Sequence, residues 1–225
     1  MFDIVKRDKL AVTVWNYKGG VGKSTISLIL SEIGAEKGLK VLAVDLDEQR
    51  NLTETLKLSA SLFPSIEIRT ELKNSYADED YDLFLIDTHP SMNEKVEKAL
   101  KFADIVLVPV LGDYHSLVNL SAVFDYISEI GVGREQAAIV KNVMSSLKMN
   151  HEVEEVLSEQ GYLTAGRLPR CNALLRNIAS GYKWDKYLRE KQRLHFMRLY
   201  ENLWIAYRKM AGGSFTDLWN NRLCD

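Results

Sequence analysis

The stretch Asn16-Tyr17-Lys18-Gly19-Gly20-Val21-Gly22-Lys23-Ser24-Thr25 constrains the chain more than any other. An apolar, β-branched run, Ala11-Val12-Thr13-Val14-Trp15, leads into it, and a helix-like run from Ile26 to Ala35 follows. Strand, glycine-rich turn and helix in that order make a cradle for phosphate. Three glycines let the backbone curl so that successive N–H groups point inward at one anion. The helix behind the turn adds the positive end of its dipole. In such a cradle Lys23 lies on the β- and γ-phosphates and the Ser24 hydroxyl on Mg²⁺.

Further strands end in acids. Lys40 to Val44 reads as a fully buried strand that runs into Asp45-Leu46-Asp47-Glu48-Gln49. Alternation puts Asp45 and Asp47 on one side, where carboxylates beside a phosphate loop can hold Mg²⁺ or orient water. Tyr81 to Ile86 is a hydrophobic strand ending at Asp87, in the form of a Walker B segment whose acid serves the Mg²⁺ shell. Ser65 to Arg69 alternates like a short edge strand after Pro64. Ser91 and Glu94 have the spacing of a capping box. Ile105 to Val110 is another buried strand, and a helix over 116–130 ends at Gly131. Ala137 to Val140 and Leu163 to Leu168 complete the strands. Strands alternating with helices predict an α/β fold: a doubly wound, mostly parallel sheet with helices on both faces.

The chain has 225 residues, which predicts one domain over 1–225 with a basic helical part from about residue 170. Hydrophobic residues make up 46% and charged residues 27%, values of a globular protein rather than a disordered one. The formal charge of −2 leaves room for a basic face balanced by acids elsewhere. Met1 to Leu10 carries charges throughout and has no apolar core, so no signal peptide is expected there. No apolar run has the length of a bilayer span. Cys171 and Cys224 belong to no metal or redox motif, which predicts a reducing cytoplasm and no structural metal.

An ordinary P-loop has glycine where this chain has Tyr17, and instead a second lysine, Lys18, precedes the paired glycines. The box resembles the deviant Walker A motif, K-G-G-x-G-K-[ST], of the ParA/MinD family of P-loop ATPases, and within it the short plasmid-type ParA proteins. The resemblance implies that residues 18–25 (Lys18, Gly19, Gly20, Val21, Gly22, Lys23, Ser24 and Thr25) hold ATP. It implies that Lys18 reaches phosphates bound by a partner subunit. Asp45-Leu46-Asp47-Glu48-Gln49 resembles the family's D-x-D-x-Q box, which assigns support of hydrolysis to Asp47; Glu48 and Arg50 depart from it. Lys18, Lys23 and Asp47 are thus the candidate catalytic residues, and Ser24, Asp87 and Asp47 the candidate Mg²⁺ residues. After Asp87 the family's D-x-P-P becomes Asp-Thr88-His89-Pro90; His89 could sense the γ-phosphate or fill a turn, and the turn is the favoured reading. The loop from Leu111 to Ser116 lies where relatives form part of the dimer face. Relatives hold adenine where Asn142 stands, although a polar strand end reads equally well. Pro169-Arg170-Cys171-Asn172 resembles the P-R-N turn that borders the base.

Between Ala165 and Met210 the charge turns basic, with Arg167, Arg170, Arg176, Lys183, Lys186, Arg189, Lys191, Arg193, Arg198, Arg208 and Lys209 opposed only by Asp185, Glu190 and Glu201. Tyr182, Trp184, Tyr187 and Phe196 are interleaved. Such clustering predicts a footprint for a polyanion. Leu194, Met197, Tyr200, Leu203 and Trp204 recur at helical spacing and read as core. Arg189, Lys191, Arg193 and Arg198 are the expected DNA contacts.

The family resemblance implies an ATP- and Mg²⁺-dependent DNA segregation ATPase of the cytoplasm and nucleoid. ATP closes a homodimer, the dimer coats DNA without reading sequence, and a ParB-like partner triggers hydrolysis and release. No separate DNA-binding module is expected before the first strand. A MinD-like or carboxysome-type positioning ATPase is the alternative, although Gly212 to Trp219 ends acidic and predicts no stable membrane anchor. A metabolic P-loop ligase is the third reading; a nitrogenase-reductase-like protein would need cluster cysteines that Cys171 and Cys224 do not supply.

Overall fold

Among the described residues, seven parallel strands form one sheet in the order β3-β2-β4-β1-β5-β6-β7. The computed structural model describes residues 9–73, 79–112, 119–144 and 154–212. Its strands are β1 (Leu10–Val14), β2 (Val41–Asp45), β3 (Ile66–Arg69), β4 (Leu83–Asp87), β5 (Ile105–Leu111), β6 (Ala137–Met144) and β7 (Thr164–Pro169). The helices are α1 (Lys23–Glu36), α2 (Asn51–Ser59), α3 (Glu94–Phe102), α4 (Leu120–Glu129), α5 (Asn172–Ala179) and α6 (Glu190–Gly212). The doubly wound expectation holds, and among the described residues every strand pair is parallel.

Burial explains the uninterrupted apolar runs. Every residue of β1, β2 and β4 is buried, because helices cover both faces of a parallel sheet. Leu10, Val12 and Val14 face a core shared with α1 and α6, while Trp15, Val106 and Val108 face one shared with α3 and α4. Each such side chain contributes roughly 1.5–3 kcal/mol on burial. Thr13 is the polar exception in β1, and its hydroxyl donates to the Ala99 carbonyl at 2.8 Å.

Two expectations are corrected. The cap of α3 is Asn93, whose side chain accepts from Val96 N at 3.0 Å. Ser91 is not the cap: its hydroxyl takes the Asn93 amide at 2.9 Å and its carbonyl takes the Trp15 indole N–H at 3.1 Å. Leu194 is 49% exposed and not core, whereas Tyr200 and Leu203 are buried as expected. The helix expected over 116–130 is described from Leu120, and 113–118 lie outside the described residues.

One buried carboxylate ties α1 to two other parts of the chain. Glu32 accepts from the Ser59 hydroxyl at 2.8 Å, at the end of α2, and from Trp184 N at 3.0 Å. Glu36, a turn further along, receives Lys183 at 2.8 Å. Trp184 is itself buried, and its carbonyl accepts from Asn177 of α5 at 3.1 Å. Burial pushes the Glu32 carboxyl up to about 7, against the lowering by its two hydrogen bonds. The folded state therefore holds a proton that the unfolded chain releases near pH 4.5. The stability this gives is complete below that pH and is lost as pH rises through about 7. Glu32→Gln keeps an acceptor for Trp184 N and cannot ionise. Urea unfolding from about pH 5 to about pH 8 is expected to cost the parent roughly 2 kcal/mol more than this variant. Identical pH slopes would show that Glu32 is charged throughout.

Candidate functional site

The loop after β1 is fastened at its first residue. Asn16 is buried; its side-chain amide donates to the Pro109 carbonyl at 2.9 Å and its oxygen accepts from Lys18 N at 2.9 Å. Tyr17 takes the place of a glycine by turning its ring toward the α4 side, where its hydroxyl donates to the Asn119 carbonyl at 3.1 Å. Gly20 and Gly22 have φ of 73° and 94°, left-handed values that L side chains rarely adopt. A Cβ on Gly22 would also stand 2.3 Å from Asn142 Nδ2, and that amide donates to the Val21 carbonyl at 2.8 Å. Asn142 thus braces the loop itself.

Gly22 is the N-cap of α1, which has no side-chain cap and no acid in its first turn. Its first amides are left for an external acceptor, and the helix dipole favours a negative one. Lys23, the first residue of the helix, is only 6% exposed. Its ammonium donates to the Lys18 carbonyl at 3.4 Å. Burial lowers the Lys23 pKa, and the fields of Asp87 and Asp47 act the other way.

Strand register sets the acids beneath this loop. Val14 pairs with Asp87 across β1 and β4, and Asp87 pairs with Asp45 across β4 and β2. Asp45 is committed to structure. One oxygen accepts from Thr53 N at 2.9 Å and the Thr53 hydroxyl at 2.7 Å, capping α2 from a distance. The other accepts from Asp47 N at 3.1 Å. The Asp45 carbonyl receives the Arg50 guanidinium, and Arg50 takes a left-handed φ of 54° to enter α2. Asp47 is left to line the cleft beside Lys23, its Oδ1 accepting from Gln49 N at 2.9 Å.

Asp87 is fully buried, and neither carboxylate oxygen has a hydrogen-bond partner of good geometry. Burial raises its pKa to about 7; the Ser24 hydroxyl and Lys23 oppose that rise, and Asp45 and Asp47 add to it. A buried carboxylate left without partners is costly unless a cation or donor completes it. Asp87 with the neighbouring Ser24 hydroxyl is an oxygen set suited to Mg²⁺, and Asp47 is close enough for its charge to act on Asp87.

A cleft of about 390 Å³ opens over these groups, with Gly19, Gly20, Gly22, Lys23, Ser24, Thr25 and Asp47 in its wall. Leu28 of α1, Pro90, and Asn51, Thr55 and Ile178 from α2 and α5 complete it; Pro90 belongs to the Asp-Thr88-His89-Pro90 run, and the other four were not singled out by the sequence. Asn16 was missed as well; its place directly before the loop was the available signal. Lys18, Asn142, Pro169 and Arg170 stand outside this cleft wall, Arg170 exposed beyond the end of β7. His89 belongs to a turn, its carbonyl accepting from Ser91 N at 2.9 Å.

The basic segment is divided by its helix. Within α6, Arg193 lies on the opposite side from Lys191 and Arg198, which are seven residues apart, and Arg189 stands just before the helix begins. Arg193 is taken by Asp185 at 2.9 Å. Trp184 and Phe196 are 1% and 3% exposed and pack on each other, so they are core and not contacts for a ligand. Tyr182 and Tyr187 do reach the surface.

A family model described as an AAA domain matches residues 9–67 and 57–141. The chromosome-partitioning ATPase Soj of Thermus thermophilus is 30% identical over 156 residues, which cover 54% of this chain and 63% of Soj. The virulence plasmid ParA family protein pGP5-D of Chlamydia trachomatis is 24% identical over 54% of this chain and 63% of its own. The chain belongs to the ParA/MinD family of P-loop ATPases. Solved ParA/MinD structures share the fold. A plasmid partition protein of Borrelia burgdorferi bound to AMPPNP aligns with a TM-score of 0.72 at 18% identity, over 88% of this chain and 99% of its own. MinD of Pyrococcus horikoshii with Mg-ADP also gives 0.72, at 20% identity over 91% and 98%. Among the described residues no helix is long and apolar enough to cross a membrane.

The loop's anchoring is directly testable. Asn16→Ala strands the Pro109 carbonyl and Lys18 N inside the protein, at an expected cost of about 1–3 kcal/mol. Calorimetry should also show weaker ATP binding, because the cradle is no longer held open before the ligand arrives. Unchanged stability and affinity would mean that the loop holds itself.

Proposed function

We propose that this chain is a DNA segregation ATPase that binds Mg²⁺ and ATP, closes into a homodimer, coats DNA without reading sequence, and lets go when a ParB-like partner stimulates hydrolysis. Its place would be the cytoplasm, on the nucleoid. The observation that carries the reading is the two-lysine loop standing over Asp47 and Asp87. Lys23 and the α1 amides hold the β- and γ-phosphates, supported by the uncapped helix and by Lys23's burial in the cleft wall. Lys18 precedes the curl and is absent from that wall, which supports a role on a partner's phosphates. Asp47 orients the attacking water, since Asp45 is spent on α2. Ser24 and Asp87, with Asp47, serve Mg²⁺, whose charge offsets that of the transferring phosphoryl group when bound. Asn142 acts on the nucleotide through the loop, and Pro169 and Arg170 border the base. The names of Soj and the plasmid ParA relatives support partition rather than a metabolic ligase. Residues 1–225 act as one domain in this reading.

Sedimentation with AMPPNP separates the roles of Lys18 and Asp47. Lys18→Ala should bind nucleotide as a monomer and fail to dimerise. Asp47→Ala should dimerise and hold ATP with little turnover, because the loss is of an oriented water and not of binding. A Lys18→Ala protein that dimerises and hydrolyses like the parent would remove the cross-subunit role. Loss of ATP binding in Asp47→Ala would make holding the metal, and not orienting water, the main role of that carboxylate. Binding of the parent to anionic vesicles and not to DNA would favour the MinD-like alternative.

A further inference from the structure

The turn between β2 and α2 carries a residue that breaks three local rules at once. Arg50 is the N-cap of α2 and has a φ of 54°, the one left-handed value outside glycine among the described residues. An L side chain is disfavoured there. The guanidinium has no acceptor for the orphan amides of the helix, and its charge stands at the positive end of the dipole. Asp45 makes the arrangement possible. Its carboxylate accepts from Thr53 N, the third amide of α2, at 2.9 Å and so replaces the missing cap. Its carbonyl accepts from the Arg50 guanidinium. Leu46 N donates to the Asp87 carbonyl on the β4 side at 2.9 Å, so by alternation the Asp45 carbonyl turns to the β3 side. There the pairing stops at Val44 and Arg69, one residue short of Asp45. Arg50 takes the place of the next ladder bond.

We propose that Arg50 is a positioning residue for ATP hydrolysis: its guanidinium on the Asp45 carbonyl locks the β2–α2 turn and so fixes the Asp47 carboxylate in the cleft. The inference rests on the reading of Asp47 as the group that orients water. Among the described residues the hydrogen bonds of Asp47 are local to the turn. Its N–H donates to Asp45 Oδ1 at 3.1 Å, its Oδ1 accepts from Gln49 N at 2.9 Å, and its carbonyl accepts from Arg50 N at 3.1 Å. These bonds fix the shape of the turn and not its place against the sheet. The Arg50 guanidinium ties the last residue of the turn back to the strand end, beside the Thr53 bonds that tie the helix there. Arg50 is half-buried and is not in the cleft wall that holds Asp47, so it acts through that carboxylate and not on a phosphate. Backbone strain of this kind persists only where the surroundings over-determine it, and it clusters at functional sites. In-line attack of water on the γ-phosphorus asks the protein for orientation above all, so a carboxylate displaced by about 1 Å is expected to slow it by up to about a hundredfold.

The test is single-turnover hydrolysis of ATP with Mg²⁺ by the full chain, read beside calorimetric ATP affinity and sedimentation with AMPPNP. Arg50→Gly admits the positive φ freely and removes the guanidinium. It should bind ATP and dimerise like the parent, which also checks its folding, and hydrolyse about tenfold to a hundredfold more slowly. Arg50→Asn also tolerates a positive φ and has no long donor; it should match Arg50→Gly, which sets aside the extra freedom of glycine as the cause. Asp47→Ala with Arg50→Gly should hydrolyse no more slowly than Asp47→Ala alone, because the two changes remove one function. Losses that multiply in the double variant would give Arg50 a separate role and overturn the proposal. So would parent-like hydrolysis in Arg50→Gly, or an ATP affinity that falls in step with the rate, and each of these leaves the Asp47 reading intact. Parent-like hydrolysis in Asp47→Ala would overturn that reading, and the proposal with it.

Discussion

Val14, Asp87 and Asp45 are paired residue by residue across β1, β4 and β2, and that register positions everything at the carboxyl edge of the sheet. The loop leaves β1 at Val14 and so opens directly above two carboxylates. A slip of one residue would turn each acid to the opposite face. The register is secured by strands buried along their whole length and apolar except for Thr13 and the terminal acids, which tolerate no exchange of inside for outside. The fold's largest energetic term, burial of the sheet, is therefore also what brings charge to the phosphate loop.

That placement concentrates polar groups that the protein alone does not satisfy. Asp45 is satisfied, by Thr53 and by Asp47 N. Asp87 is not, and burial holds its pKa near 7. Lys23 is buried beside it with a lowered pKa. Above them the first turn of α1 presents uncapped amides. These groups are strained in the same sense: each gains from a ligand that brings negative phosphate to the amides and lysine, and a cation to the acids. Asn16 and Asn142 hold the loop open from its two sides, so the cradle does not collapse onto its own acids.

Much of this was legible in the sequence for physical reasons. Glycines at 20 and 22 mark a turn of positive φ, and the apolar runs before Asp45 and Asp87 mark strands that deliver acids to one edge. What was not legible depends on distances along the chain that no local pattern reports. Asn16 bonds Pro109, Asn142 bonds Val21, and Glu32 bonds Trp184, each across a long separation. The cap of α3 went to Asn93 because Ser91 was needed by Trp15 and by Asn93 itself. Trp184 and Phe196 looked like aromatics for a nucleic acid and are core. The four expected DNA cations looked like one surface, but helical rotation within α6 puts Arg193 behind Lys191 and Arg198, and Arg189 precedes the helix.

The proposed activity depends on Lys23 and the amides of α1 forming a phosphate cradle. Calorimetric titration of ATP with Mg²⁺ into the parent and into Lys23→Ala tests this most directly. One nucleotide per chain should bind the parent, and Lys23→Ala should give no measurable binding heat, because the β- and γ-phosphates lose their buried cation. Equal affinity in the two proteins would contradict the assignment of this loop.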